Sequence, residues 1–166
     1  MAVSIRDARS ARADREWIEA SYRDYLDDLA AGATGVFPAL MVTGQSEAEL
    51  LAPRFVSERV IPLVILSDLR PVGFALVDRE PGGLRHRLSE FYIRREDRRR
   101  GLGREAAALI FTRFPGDWLV SESARNAGAI AFWRKVIAAY TRGRYQERHG
   151  DGELRHSFSS PPPQGR

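Results

Sequence analysis

The stretch from Leu84 to Phe114 constrains this chain most. Leu84 to Ile93 reads as a strand that ends on Glu90-Phe91-Tyr92-Ile93, and a charged loop, 94–100, follows it. Leu102, Ala106, Leu109, Ile110 and Phe114 then mark one face of a helix, which Pro115-Gly116 stops. A strand that runs through a short loop into an amphipathic helix calls for helices laid on a sheet.

The flanking sequence supplies the rest of that layer. Residues 3–6 alternate like a short strand, and Ile18, Tyr22, Tyr25, Leu26 and Leu29 recur at helical spacing from about Ala13 to Leu29. Ala31 to Gly35 ends that helix and opens a loop. Ser46-Glu47-Ala48-Glu49 has the form of a capping box, so a second helix starts there, kinked or split by Pro53. Val60–Leu66 and Val72–Val77 are apolar β-rich runs around a turn at 67–71, a hairpin pattern. Trp118–Ser121 gives another strand. Asn126 stands at an N-cap position ahead of the stripe Ile130, Trp133, Val136 and Ile137. Two strand-like pieces flank a turn at His149-Gly150-Asp151-Gly152. The expected fold is a single α/β (α+β) domain over residues 1–159, with a mixed, mostly antiparallel sheet flanked by helices. Residues 160–166, rich in proline, are expected to form a disordered tail.

Composition narrows the function classes. The chain has 166 residues, 43% apolar and 29% charged, an ordinary globular balance. It has no apolar run of membrane-spanning length and no signal-peptide block after Met1, so a soluble, cytoplasmic protein is expected, without a membrane partner. Cysteine is absent, which excludes disulfides, a thiolate nucleophile and Cys-ligated metal. His86, His149 and His156 do not share a metal-site spacing, and no metal is expected. The net charge of +4 is compatible with nucleic acid, with a small anionic ligand or with simple solubility. Its distribution argues against a nucleic-acid face. The basic residues Arg94, Arg95, Arg98, Arg99, Arg100 and Arg104 crowd beside two glycines, whereas the first helix carries Asp14, Glu16, Glu19, Asp24, Asp27 and Asp28.

The segment Arg98-Arg99-Arg100-Gly101-Leu102-Gly103 lies between strand and helix. Unpaired N–H groups and the helix dipole favour an anion there, glycines admit close backbone approach, and arginines neutralise phosphate. Arg104-Glu105 stands where a P-loop needs Lys-Ser/Thr. Ala106 fits the last position of a dinucleotide fingerprint, but the loop comes late, after an antiparallel meander. An ordinary charged turn stays open on these residues alone.

The string Phe91 to Gly103 resembles the acetyl-CoA motif of the GNAT superfamily of N-acyltransferases, Arg/Gln-x-x-Gly-x-Gly/Ala, at Arg98, Gly101 and Gly103. A second block resembles the family too: strand Trp118–Val120, then Asn126, Ala129 and Phe132-Trp133. The strong likeness covers residues 72–140. The resemblance implies direct transfer from acetyl-CoA to a primary amine of a small molecule or peptide, in a ternary complex. It implies that Arg98, Arg99, Arg100, Gly101, Leu102, Gly103 and Arg104 hold the pyrophosphate. Backbone groups of Phe91, Tyr92 and Ile93 would pair with the pantetheine arm, with Asn126, Phe132 and Trp133 nearby.

Glu90 is the candidate general base, a lone carboxylate on an apolar strand end; a solvent-facing residue or an ion pair with arginine is the alternative. The family often has tyrosine as general acid where this chain has Trp133, whose indole does not titrate usefully. Tyr140 and then Tyr145 are the nearest downstream hydroxyls, each also readable as a packing residue. Tyr22, Tyr25 and Asp28 are candidates for recognising a cationic amine, with Phe37 and Met41 as further wall residues; an acidic solvated helix with buried aromatics is the alternative. Three function classes remain: the acetyltransferase, a CoA-binding module without catalysis, and a nucleic-acid binder. The C-terminal hairpin offers edges that a homodimer could pair.

Overall fold

A computed structural model describes residues 2–30 and 46–161. Phe37, Met41 and the tail from Pro162 lie outside the described residues. The elements follow the order expected: β1 (Val3–Asp7), α1 (Arg12–Ala30), α2 (Glu47–Val56), β2 (Val60–Ser67), β3 (Arg70–Arg79), β4 (Arg85–Ile93), α3 (Leu102–Arg113), β5 (Gly116–Ser123), α4 (Ala127–Thr141), β6 (Gln146–Gly150) and β7 (Glu153–Ser160). They form one seven-stranded sheet in the order β1-β2-β3-β4-β5-β7-β6. Only β4 and β5 run parallel among its ladders.

Local chemistry accounts for the element ends. Ser46 and Glu49 form the reciprocal capping box of α2. Pro53 does not split α2, which continues to Val56. The β2–β3 turn is tighter than the expected 67–71: Asp68 and Leu69 alone make it, with φ of 49° and 67°. Asp151-Gly152 repeats that geometry, φ 52° and 76°, between β6 and β7. Two successive positive φ values match the twist of a tight hairpin. Ser160, expected outside the folded domain, belongs to β7, and its Oγ donates to the carbonyl of Phe111 at 2.5 Å.

Two cores sandwich the sheet. α1 and α2 cover one face through Ile18, Tyr25, Leu51, Val64, Phe74 and Tyr92. α3 and α4 cover the other through Ala106, Ile110, Phe91, Ile93, Val120 and Trp133. Such double coverage explains why every residue of β2 is buried.

Two irregularities position the site. The β4–β5 ladder spans only Arg85–Leu88 against Asp117–Val120. Beyond it, β4 pairs with β3 alone, so backbone groups of Ser89–Ile93 that point toward β5 have no strand partner. The second irregularity is a bulge at Ser89: Glu90 pairs with Leu76, whereas Leu88 pairs with Val77. Cross-strand partners share a face, and Asp78, the partner of Arg87, lies two residues from Leu76. Arg87 and Glu90 therefore both face the α1–α2 side. Phe91 and Ile93 turn to the α3–α4 side.

Candidate active site

The open end of the β4–β5 pair leads, on the α3–α4 side, into a cleft of about 640 Å³. Phe91 and Ile93 form its floor; Arg98, Arg99, Gly101, Leu102, Gly103 and Arg104 form one wall; Phe132, Trp133 and Lys135 form the other. Gly101 caps α3 with φ 78°, a left-handed conformation that glycine adopts without strain. The space around it is open, so the dihedral, not crowding, is the constraint there. Gly103 differs: an added Cβ would lie 3.1 Å from the Phe132 ring across the cleft.

The arginines divide into two sets. Asp97, 2% exposed, accepts from Arg94 at 2.6 and 2.8 Å and from Arg70 at 3.0 Å. Arg98 donates to the carbonyl of Ile93 at 2.8 Å and pairs with Asp28, which also takes Arg95 at 3.1 Å. These contacts tie the loop to β4 and α1. Arg99, Arg100 and Arg104 make no ion pair among the described residues. Asp28 is thus a loop anchor rather than an open acceptor contact, because its carboxylate is 7% exposed and already doubly paired.

On the α1–α2 side, Glu90 is 3% exposed. One carboxylate oxygen accepts from the Tyr22 hydroxyl at 2.5 Å, and the other has no partner. Burial pushes the Glu90 carboxyl up to about 7, partly opposed by the Tyr22 hydrogen bond and by Arg54. Burial also raises Tyr22, with Glu90 adding to the effect, so it stays a phenol and donates. Arg54 from α2 donates to Asp78 and to Ser89 Oγ, both at 2.6 Å. Ser89 Oγ donates to the carbonyl of Leu76 at 2.9 Å, which pins the bulge.

Other expected residues fall elsewhere. Tyr25 is fully buried in an aromatic cluster with Tyr22, Phe74 and Tyr92 and lines no acceptor surface. Tyr140 does not line the cleft: its hydroxyl meets Ser160 at 2.7 Å and Thr112 at 3.1 Å, and its ring packs on Phe111. Tyr145 lies beside His156. Asn126 caps α4, accepting from the Ala129 amide at 3.0 Å. Trp133 is buried edge-on to Phe91, with ring centroids 5.1 Å apart. Asp97, Arg54 and Ser89 were not expected; for Ser89 the signal was the interrupted alternation of β4, a polar pair Ser89-Glu90 between the core residues Leu88 and Phe91. No trio of metal-binding side chains exists among the described residues. No described helix is long and apolar enough to cross a membrane.

A sheet opened between two parallel strands, with a glycine-capped helix beside the opening, suits an extended ligand that ends in an anion. Residues 16–137 match the Acetyltransferase (GNAT) family, and the chain belongs to that family of N-acetyltransferases. A comparison with curated proteins finds no match. Among solved structures the chain is similar to an aminoglycoside 6'-acetyltransferase type Ii, with TM-score 0.69 and 12% identity, covering 99% of this chain and 100% of that one. It is similar to the ribosomal-protein-S18-alanine N-acetyltransferase from Escherichia coli, with TM-score 0.62 and 15% identity over 99% and 97%. It is also similar to a PaiA N-acetyltransferase from Thermoplasma acidophilum in complex with coenzyme A, with TM-score 0.60 and 11% identity over 96% and 99%. At these identities the shared property is the fold.

Proposed function

We propose that the chain transfers an acetyl group from acetyl-CoA to a primary amine, with the donor on the α3–α4 side and the acceptor arriving from the Glu90 side. The observation that carries this reading is the unpartnered edge of β4 above an apolar cleft. An extended pantetheine arm fits such an edge as an added strand. The amides of residues 99–104 and the unpaired guanidinium groups of Arg99, Arg100 and Arg104 would hold its phosphates. The thioester supplies an activated acyl carbon. An unpaired β4 amide can donate to its oxygen as negative charge develops.

Glu90 and Tyr22 act as one unit on the other side. The carboxylate accepts a proton from the amine, directly or through the Tyr22 hydroxyl that it already orients. A base near 7 is matched to neutral pH. No tyrosine stands at Trp133, and Tyr140 lies outside the cleft lining with its hydroxyl engaged by Ser160 and Thr112, so the thiolate leaves without a protein acid. Release of CoA together with mass-spectrometric detection of an N-acetyl product, across a panel of primary amines, tests the function. CoA binding by calorimetry with no N-acetyl product from any amine would replace it with a binding module that lacks catalysis.

A further inference from the structure

The face that carries Glu90 continues along β4, away from the opening, into a second cavity of about 660 Å³. Five arginines and three carboxylates line it, an excess of positive charge. Arg54 is paired with Asp78 at 2.6 Å through Nη2, and Arg85 with Glu80 at 3.8 Å. Arg59, Arg79 and Arg87 make no ion pair among the described residues. Arg87 is half-buried; Arg79 alternates with Asp78, leaves from the opposite face and lies over the Phe114 ring, 5.8 Å from its centroid. A half-buried guanidinium without a counter-ion is disfavoured, and its planar fork matches a carboxylate or phosphate. Arg54 links this cavity to the base: the same Nη2 reaches Ser89, the residue before Glu90.

Resting on the acceptor side proposed above, we infer that this cavity is an oxyanion subsite, so that the acceptor is an amine whose other end carries a carboxylate or phosphate. Arg87 and Arg54 grip that end while the amine reaches Glu90. The β3 partners of Arg87 and Glu90, Asp78 and Leu76, are two residues apart, so the two side chains stand at successive same-face positions and one ligand can touch both. This subsite replaces the expected recognition of a cation by Tyr25 and Asp28, which are occupied elsewhere.

Calorimetry on the full chain, with and without CoA, tests it with 6-aminohexanoate, 6-aminohexyl phosphate and hexylamine. The two anionic amines should bind at least about tenfold more tightly than hexylamine. Arg87→Gln should abolish most of that preference, and Arg87→Lys should keep part of it, since the charge persists without the fork. Whichever anionic amine binds more tightly identifies the oxyanion. Equal affinity for all three amines, no binding of any, or a preference unchanged in Arg87→Gln overturns the subsite. Acetylation of hexylamine and 6-aminohexanoate at equal kcat/KM also overturns it, and leaves acetyl transfer standing. Tight binding of the anionic amines without acetylation does the reverse.

Discussion

Glu90 and Phe91 are neighbours on β4, yet they belong to two different kinds of site. Phe91 faces a cleft of rings, glycines and main-chain groups, with no titrating residue at its floor. Glu90 faces a sealed carboxylate–phenol pair beside a charged cavity. The first surface holds a partner by shape and backbone hydrogen bonds, spread over many atoms. The second concentrates its chemistry in single functional groups. Changes on the Phe91 side should therefore appear in KM for the acyl donor. Changes on the Glu90 side should appear in kcat and in its pH dependence.

The largest effect is expected for Glu90→Gln. Loss of a general base lowers kcat/KM by about 10²–10⁴-fold. In the wild type kcat/KM should rise with pH to a plateau above about 7, because only the deprotonated carboxylate accepts a proton; the variant should lose that limb. Stability gives an independent readout of opposite sign. The folded protein keeps its Glu90 proton up to about 7, whereas the ordinary carboxyl releases it near 4.5. Unfolding thus releases a proton inside that window, so wild-type stability falls as pH rises through it, by about 2–4 kcal/mol in all. Denaturant melts of the variant should lack this slope. An unchanged pH–rate profile in Glu90→Gln would remove the residue from catalysis and dissolve the contrast between the two sides.

Gly103→Val probes the other surface. Its branched side chain enters a gap where even a Cβ stands 3.1 Å from Phe132, so the cleft must widen or the ligand must shift. KM for acetyl-CoA should rise about 10–100-fold, with a smaller change in kcat. Gly103→Ala should do less, since the Phe132 ring edge can yield a few tenths of an ångström. Unaltered CoA affinity by calorimetry in a folded Gly103→Val protein would place the donor elsewhere.

The third prediction follows from what was legible in the sequence. The strand-loop-helix over Phe91–Gly103 was legible because its determinants are local: a strand end, two glycines and a helix start. The order of elements was legible for the same reason, through apolar periodicity and caps. The acceptor side depends on contacts between distant segments. Tyr22 meets Glu90 across 68 residues, and Arg98 meets Asp28 across 70. The bulge at Ser89, which decides which way Glu90 faces, shows in the sequence only as the polar pair Ser89-Glu90 between Leu88 and Phe91, two residues that share a core. Asp28 shows the consequence: an acidic residue on an acidic helix suggested an amine contact, while in the fold it pairs with Arg95 and Arg98 of the loop after β4. Asp28→Asn should therefore act on the donor side, raising KM for acetyl-CoA about three- to tenfold and lowering stability by about 1–3 kcal/mol. An effect confined to the KM of the amine would return Asp28 to the acceptor.

Tyr140→Phe should be the mildest, and it tests how far the catalytic region extends along α4. Tyr140 is seven residues past Trp133, about 10 Å along the helix axis. Its hydroxyl joins Ser160 of β7 and Thr112 of α3, which fastens the far end of the sheet to both helices. Removing it should cost about 0.5–1.5 kcal/mol in a denaturant melt. The value of kcat/KM should stay within about twofold of wild type, with an unchanged pH profile. A large fall in kcat/KM in this variant would instead mark Tyr140 as the acid that protonates the leaving thiolate. The absence of tyrosine at Trp133 would then be compensated from two turns away, and the division of labour between the two sides of β4 would need a third participant.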